Sequence, residues 1–138
     1  MWKKKELNLE LLKELSRNTM VEHLGIEFSE IGDDYLVAVM KVNHATHQPL
    51  GLLHGGASVA LAETVGSMAG TLAVDESRYC VGLEINANHV RPVKSGTVEA
   101  TARPLALGRT TQVWDIRIVN GDGKLVCVSR LTLAVCKQ

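Results

Sequence analysis

The stretch Ala57-Ser-Val-Ala-Leu-Ala-Glu63-Thr-Val-Gly-Ser-Met-Ala-Gly-Thr-Leu-Ala-Val74 is the most apolar part of the chain. It contains no Lys or Arg, and Glu63 is the only formally charged residue between Lys41 and Asp75. A carboxylate removed from water without partners is costly, so it must be paired, protonated or used in chemistry. Glu63 is therefore a candidate general base or nucleophile in a concave apolar site. The alternative is a Glu on the one exposed stripe of a surface helix, but no second charged residue marks such a stripe.

Length and composition limit the class of protein. With 138 residues, 46% of them hydrophobic, the chain is expected to form one domain over residues 1–138. Its 15 acidic and 15 basic residues cancel and no dense basic run occurs, which argues against nucleic-acid binding. The cysteines, Cys80, Cys127 and Cys136, lack the number and spacing of a disulfide framework or zinc site. Reduced thiols and an N-terminus without the apolar core of a signal peptide predict a cytoplasmic protein.

The apolar stretch also approaches the length of a membrane-spanning helix, and Gly66-x-x-x-Gly70 is a helix-pairing motif. The central Glu63, the many small residues and the absence of a flanking basic cluster favour a buried helix instead. We therefore expect no membrane association.

The rest of the sequence predicts an α+β fold. A helix that is apolar on nearly all faces needs cover on nearly all faces, which an antiparallel sheet curved around it supplies only in part. A second subunit is the natural source of the remaining cover. Periodicity and turn signals predict helices over 7–16 and 56–73, strands over 26–31, 35–43, 80–90, 97–104, 110–119 and 125–135, and a loop over 44–56.

The segment before the long helix reads Gln48-Pro-Leu-Gly-Leu-Leu-His54-Gly55-Gly56. A helix N-terminus presents unpaired N–H groups and a partial positive charge, and glycines there let a ligand approach the backbone. Such an end can hold a developing oxyanion, with the Gly55 N–H as donor. Gln48 and His54 are able to donate to the same oxygen. The alternative is a turn followed by an ordinary helix cap.

The spacing of His54 and Glu63 predicts a dimer. Nine residues separate them, which corresponds to roughly 13 Å of helix rise and about half a turn. Within one chain they cannot readily reach one substrate atom, whereas two antiparallel copies of the helix would bring Glu63 of one subunit near His54 and Gly55 of the other. Ser67, on the same face as Glu63, either bonds the carboxylate or a water, or bonds the preceding helical turn. The other residues expected on that face are small and leave room for a flat acyl group: Val59, Ala60, Gly66 and Gly70.

Other polar residues are ambiguous. His89 continues the apolar face of the predicted 80–90 strand, where it either lines a pocket rim or is a hydrogen-bonded core histidine. Arg91, Lys94 and Arg109 lie near strand ends and either meet phosphates or are isolated surface cations. His44-x-x-His47 lacks a third ligand and is not interpreted as a metal site.

Two motifs carry a family resemblance: Gln48-x5-His54-Gly-Gly-x6-Glu63-x3-Ser67, and Val81-Gly-Leu-Glu-Ile-Asn-Ala-Asn-His89-Val-Arg-Pro92. In these the chain resembles the hotdog-fold thioesterases of the phenylacetate-pathway type. More narrowly, it resembles the pair formed by the enterobactin proofreading thioesterase and the 1,4-dihydroxy-2-naphthoyl-CoA thioesterase. The similarity runs from Met1-Trp-Lys through Arg130-Leu-Thr. The resemblance implies a curved antiparallel sheet wrapped around one long helix, in homodimers that pair into homotetramers.

The resemblance also implies an activity, the hydrolysis of an aromatic acyl thioester of the hydroxybenzoyl or dihydroxynaphthoyl kind. The acyl carrier would be CoA or the pantetheine of an acyl carrier protein, and no cofactor or metal is implied. Glu63 would be the nucleophile or the base that activates water. Gln48, His54 and the Gly55 N–H of the facing subunit would polarise the carbonyl, and Ser67 would position water or the carboxylate. The residues implied to hold the substrate and its CoA are Gly82, His89, Val90, Arg91 and Pro92, with a loop of Ala106, Leu107, Gly108, Arg109, Thr110 and Thr111.

Three other functions are weighed against this one. A β-hydroxyacyl thioester dehydratase would need a His and a carboxylate over the substrate's Cα and Cβ, whereas donors around Gly55 suit a carbonyl under attack. A non-catalytic acyl-CoA-binding module on the same fold would have no reason to keep an unpaired Glu63. A membrane-helix interaction protein is the remaining class.

Overall fold

The central element is the helix α3 (Gly55–Leu72), here seen in a computed structural model that describes all 138 residues. The helix begins one residue earlier than predicted because the His54 side chain caps it. His54 Nδ1 accepts a hydrogen bond from the Gly56 N–H at 2.8 Å, which satisfies one of the unpaired donors of the first turn.

Six strands form one antiparallel sheet, which confirms the predicted architecture. They are β1 (Ile26–Ile31), β2 (Leu36–Lys41), β3 (Arg78–His89), β4 (Thr97–Leu107), β5 (Thr111–Val119) and β6 (Leu125–Lys137). Their order in the sheet is β1-β2-β4-β5-β6-β3. The chain thus leaves β2, passes through α3 and enters the opposite edge of the sheet with β3, so β1 and β3 are the edge strands.

The helix packs on one face of this sheet and forms the core with it. Leu61 and Val65 of α3 are fully buried, as are Trp114, Ile116 and Leu131 of the sheet. Each large apolar side chain that is buried in this way contributes about 1.5–3 kcal/mol to folding.

Gly66 and Gly70 let the helix approach the sheet closely. A Cβ on Gly66 would lie 3.2 Å from Ile116 Cδ1, and one on Gly70 would lie 2.8 Å from Gln112 Oε1. Both glycines are buried and face the sheet. The prediction that they share an open face with Glu63 is therefore wrong, because close helix–sheet packing uses the space that they leave.

Two helices precede the sheet. The first, α1 (Leu9–Ser16), lies within the predicted 7–16 range, and its N-terminus is capped by Asn8. The second, α2 (Met20–His23), was not predicted because its single turn is too short for a periodicity to register. Neither these helices nor α3 combine the length and the hydrophobicity that a membrane span requires.

The strand β4 continues beyond its predicted end at Pro104. A bulge between Pro104 and Ala106 interrupts its pairing with β5, and its pairing with β2 stops at Ala102. Proline has no backbone N–H to donate. Because β2 does not pair with β4 beyond Ala102, no hydrogen bond to β2 is lost at Pro104, and the strand tolerates it. The predicted 106–111 loop is corrected in consequence. Ala106 and Leu107 belong to β4, Thr111 begins β5, and only residues 108–110 form the loop.

Candidate active site

The first turn of α3 leaves one backbone donor unused. The N–H groups of Ala57 and Ser58 both donate to the His54 carbonyl, and that of Gly56 donates to His54 Nδ1. The Gly55 N–H has no hydrogen-bond partner in the chain. It lies at the positive end of an 18-residue helix, where a developing negative charge is stabilised.

The loop before α3 is held in a fixed shape. Gly51 has a φ of 76°, a conformation that favours glycine. The Leu53 N–H donates to the Val93 carbonyl at 2.7 Å, and the His54 N–H donates to the Thr46 carbonyl at 2.8 Å. Gln48 Oε1 accepts from the Leu50 N–H, so the Gln48 amide nitrogen remains available as a donor.

A cavity of about 390 Å³ opens beside this helix end. It brings together six of the predicted residues. A Cβ on Gly55 would lie 3.0 Å from His89 Nε2, so the histidine ring closes over the helix terminus. His54 is exposed and does not line the cavity. Because His54 Nδ1 accepts the Gly56 N–H, Nε2 carries the proton of the neutral ring and is the nitrogen that can donate a hydrogen bond. The lining residues are Gln48, Leu52, Leu53, Gly55, Ser58, His89, Val90, Arg91, Pro92 and Val126.

Glu63 lies two and a half turns further along α3 and is half-buried, not on an exposed stripe. Ser67 Oγ donates to Glu63 Oε1 at 3.2 Å, which agrees with the first of the two interpretations of Ser67. On its other side the carboxylate lies against the backbone of β3 at Gly82. A Cβ at Gly82 would overlap Glu63 Oε1 and would lie 3.2 Å from Glu63 Cδ. Gly82, which was predicted to contact substrate or CoA, therefore contacts the candidate base.

The two halves of the predicted site are separate within one chain. Glu63 lines a different cavity, of about 150 Å³, which shares no residue with the one at the helix N-terminus. The hydrophobic wall of this second cavity was not predicted, because it comes from α2 and from the start of β1. The other lining residues are Met20, Val21, Leu24, Ile26, Ala60 and Thr64.

The predicted CoA contacts of the 106–111 segment lie elsewhere again. Leu107, Gly108 and Arg109 line a cavity of about 290 Å³ near the C-terminal end of α3, together with the cations Lys3 and Arg78. Ala106, Thr110 and Thr111 do not line it. Arg91 is at the other end of the molecule, where its Nε donates to the Leu125 carbonyl at 3.2 Å. One chain therefore presents cationic side chains near both ends of α3, with Arg91 at one end and Arg109 at the other.

The remaining polar candidates have structural partners or none. His47 Nε2 lies 2.9 Å from the Lys94 carbonyl, and nowhere do three or more metal-ligand side chains gather. The cysteines are unpaired, and Cys80 and Cys127 are buried. Burial raises the pKa of the Cys80 thiol to about 11, so this thiol stays protonated and unreactive near neutral pH.

Comparison with known proteins agrees with this geometry. Residues 50–127 match the family model of the thioesterase superfamily. The chain is 52% identical to the 1,4-dihydroxy-2-naphthoyl-CoA hydrolase of Escherichia coli, over 97% of this chain and 98% of that protein. It is also 52% identical to the proofreading thioesterase EntH of Cronobacter turicensis, over 96% of each. The crystal structure of a thioesterase from Haemophilus influenzae superposes with a TM-score of 0.97 at 56% identity, over 99% of this chain and 96% of that one.

The sheet and its long helix are thus a hotdog fold, and the fold and the relatives define an enzyme of the thioester hydrolase class. The chain belongs to the thioesterase superfamily. This confirms the resemblance and the enzyme class that the two sequence motifs indicated.

Proposed function

We propose that the protein hydrolyses aromatic acyl thioesters, of the hydroxybenzoyl or dihydroxynaphthoyl kind, carried on CoA or on a carrier-protein pantetheine. The observation that carries this proposal is the half-buried Glu63 carboxylate, held by the Ser67 hydroxyl and the backbone at Gly82. The name of the E. coli relative supports a dihydroxynaphthoyl-type acyl group, and that of the C. turicensis relative supports thioester hydrolysis. The unpaired cysteines fit the reducing cytoplasm, where we place the enzyme.

The proposed reaction divides between donors and base. The Gly55 N–H, with Gln48 and His54, polarises the thioester carbonyl and stabilises the charge that develops on its oxygen. Glu63 attacks the carbonyl carbon itself or removes a proton from the water that attacks it, and Ser67 holds the carboxylate or that water. The carbon–sulfur bond then breaks, and the thiolate takes up the proton that the attacking water gives up and leaves as the free thiol. Where Glu63 itself attacks, the first product is an acyl-Glu63 anhydride and the thiolate takes its proton from solvent; water then hydrolyses the anhydride, which releases the aromatic acid and restores the Glu63 carboxylate.

We further propose that each site is shared between two subunits. Glu63 and Gly55 line separate cavities of one chain, and an antiparallel partner helix would place the partner subunit's Glu63 at the Gly55 end. An edge strand supports this assembly. Tyr79, Val81 and Leu83 of β3 are 38%, 44% and 61% exposed, an apolar surface that a second copy would cover. Two such dimers would form a homotetramer.

The same assembly would bring together cationic side chains from the two ends of α3. Arg91 lies near the N-terminal end of α3 and Arg109 near its C-terminal end, so antiparallel helices bring Arg91 of one subunit towards Arg109 of the other. Both cations would then face the phosphates of one CoA, with His89, Val90 and Pro92 along the pantetheine arm.

The first experiment measures free-thiol release from benzoyl-, hydroxybenzoyl- and dihydroxynaphthoyl-type CoA esters, with medium-chain acyl-CoAs for comparison. Glu63→Gln keeps the size and the hydrogen bonds of the side chain but removes its charge, and we expect it to lower kcat by orders of magnitude without loss of folding. Near-normal turnover by Glu63→Gln would remove the central claim. If wild type releases no thiol from any CoA ester, carrier-protein thioesters are tested next; inactivity there too would favour the binding module.

A second experiment tests the shared site. Glu63→Ala subunits mixed with His54→Ala subunits should recover activity, because one of the two sites in a hybrid dimer is intact. The matched control mixes Glu63→Ala with Ser67→Ala, two changes on the same half-site, and should not rise above the level of Ser67→Ala. Failure of the first mixture after verified subunit exchange contradicts the cross-subunit arrangement.

A further inference from the structure

Ser58 is the exception among the buried polar side chains of this protein. Its residue is 1% exposed, and its hydroxyl makes no hydrogen bond within the chain. The four other buried polar side chains each have a partner: Ser16 Oγ donates to the Leu12 carbonyl at 2.8 Å, Thr46 Oγ1 to the Lys41 carbonyl at 3.0 Å, Gln112 bonds Trp114 Nε1 and the Gly70 carbonyl, and Ser129 Oγ lies 3.8 Å from Cys127 Sγ. No fully enclosed side-chain oxygen of this protein lacks a partner, so the Ser58 oxygen is open to the space beside it and is free to bond a ligand there.

The position of Ser58 directs its hydroxyl at the helix end. A serine inside a helix commonly donates to the carbonyl four residues earlier, but the His54 carbonyl accepts only the backbone N–H groups of Ala57 and Ser58. Side chains on a helix tilt towards its N-terminus, over the turn that precedes them. The Ser58 side chain therefore lies over the turn that begins at Gly55, and it lines the same 390 Å³ cavity.

Two unused donors thus face one cavity, the Gly55 N–H and the Ser58 hydroxyl. We propose that Ser58 is a second hydrogen-bond donor to the thioester carbonyl oxygen, beside the Gly55 N–H, and so a catalytic residue that sequence reasoning missed. This inference rests on the proposed thioester hydrolysis. A single N–H satisfies one lone pair of the oxygen that becomes negatively charged, and a second donor from a preorganised, water-poor wall stabilises that charge further.

The hydroxyl acts as a donor only and is not a nucleophile. A nucleophilic serine needs a base that accepts its proton, but His54 Nδ1 bonds the Gly56 N–H and the Glu63 carboxylate bonds Ser67, so neither of these bases is paired with Ser58. Its proton therefore stays on Oγ throughout, no bond to the serine forms or breaks, and the new carbon–oxygen bond is made by the group that Glu63 supplies or activates.

The test is Ser58→Ala, assayed for thiol release from the best aromatic acyl-CoA. We expect kcat to fall by about 100-fold, with KM changed far less, because the missing hydrogen bond is stronger in the transition state than in the bound substrate. Thermal stability should change little, since the Ser58 hydroxyl makes no hydrogen bond within the chain that the substitution would remove. Ser129→Ala is the matched control, equally buried at 1% exposure but outside the cavity, and it should retain wild-type kcat.

Each other outcome overturns the inference. Unchanged kcat in Ser58→Ala shows that the hydroxyl touches nothing that reacts, and a raised KM with unchanged kcat places it on a non-reacting part of the substrate. A fall in kcat with a matching fall in melting temperature assigns it a structural role. If Glu63→Gln is inactive while Ser58→Ala is normal, this inference fails alone, whereas a wild type that is inactive on both CoA and carrier-protein thioesters rejects the proposed function itself.

A spectroscopic measurement separates donation from other effects. A ketone analogue of an aromatic acyl-CoA, with CH2 in place of sulfur and 13C at the carbonyl, binds without being cleaved. Donors lower the stretching frequency of that carbonyl, so its infrared band should lie lower when bound to wild type than when bound to Ser58→Ala. Equal band positions in the two proteins refute a hydrogen bond from Ser58.

Discussion

Replacing Gly82 by alanine tests whether the backbone of β3 fixes the position of the Glu63 carboxylate. A Cβ at this position would overlap Glu63 Oε1 and would lie 3.2 Å from Cδ and 3.5 Å from Oε2. Because non-bonded heavy atoms prefer separations of about 3.5–4.0 Å, the carboxylate would have to withdraw by about 1 Å or rotate away. The backbone itself accepts alanine, since Gly82 does not adopt a positive φ.

This displacement sets the expected effect on catalysis. A misplacement of about 1 Å at a reacting group can cost about 100-fold in rate, which corresponds to about 2.7 kcal/mol of activation free energy. We therefore expect kcat for thiol release from an aromatic acyl-CoA to fall about 100-fold in Gly82→Ala. The melting temperature should change little, because only the end of a flexible side chain moves and alanine restricts the unfolded chain more than glycine.

A matched control and a double mutant make the test decisive. Gly121, in the turn between β5 and β6, has no positive φ and no atom within 4 Å of an added Cβ, so Gly121→Ala should retain full activity. In a Glu63→Ala background, Gly82→Ala should cause no further loss, since both changes act through one carboxylate. Wild-type kcat/KM in Gly82→Ala would refute the argument, and so would an equal loss from Gly121→Ala.

Three further predictions address neighbouring features. Ser67→Ala removes the 3.2 Å bond to Glu63 Oε1 and should lower kcat about tenfold, with Ser67→Thr restoring part of it; the same kcat in both variants counts against a role for the hydroxyl. Burial raises the pKa of the Cys80 thiol from 9.0 to about 11, so the unfolded chain loses this proton first and the free energy of unfolding should fall as pH rises from about 9 to 11. Urea unfolding of Cys80→Ala should show a shallower fall over that range, and identical slopes contradict the assignment. Trp2→Phe loses the 2.6 Å bond from Trp2 Nε1 to the Gly32 carbonyl and should lower stability by about 1 kcal/mol with kcat unchanged, which thermal melts and the thiol assay check together.

The sequence predicts the architecture well because its signals are local. Alternating burial along β5, from Gln112 through Trp114, Ile116 and Ile118, reproduces the period of two that marks a half-buried strand. The long apolar helix was located to within a residue at each end. The errors lie where a tertiary partner decides, as in β4, whose extension past Pro104 depends on its pairing with β5.

The candidate site was predicted in its residue types more than in its contacts. The sequence alone shows a lone Glu in an apolar helix and a glycine pair at the start of that helix, and in the structure Glu63 and Gly55 each line a cavity. The contact between Gly82 and Glu63 joins β3 to α3, which are distant in sequence, so no local sequence pattern predicts it. The sequence does place a hydroxyl at Ser58, one turn after Gly55 in a mostly apolar helix. Only the absence of a hydrogen bond within the chain distinguishes Ser58 from serines that bond their own helix, such as Ser16.

The rigidity of α3 is the physical reason for proposing a site that is shared between two chains. Its N-terminus is the only place where α3 offers a free backbone donor, and that place is fixed by the His54 cap and by the bonds of the preceding loop. Glu63 needs the opposite conditions, a mid-helix position where a neighbouring side chain and the backbone of β3 hold it partly out of water. About 13 Å of helix rise separates the two, and a helix does not bend to close such a gap. In the proposed arrangement, donor and base meet when two helices run antiparallel, so loss of the dimer should abolish hydrolysis even in subunits that stay folded.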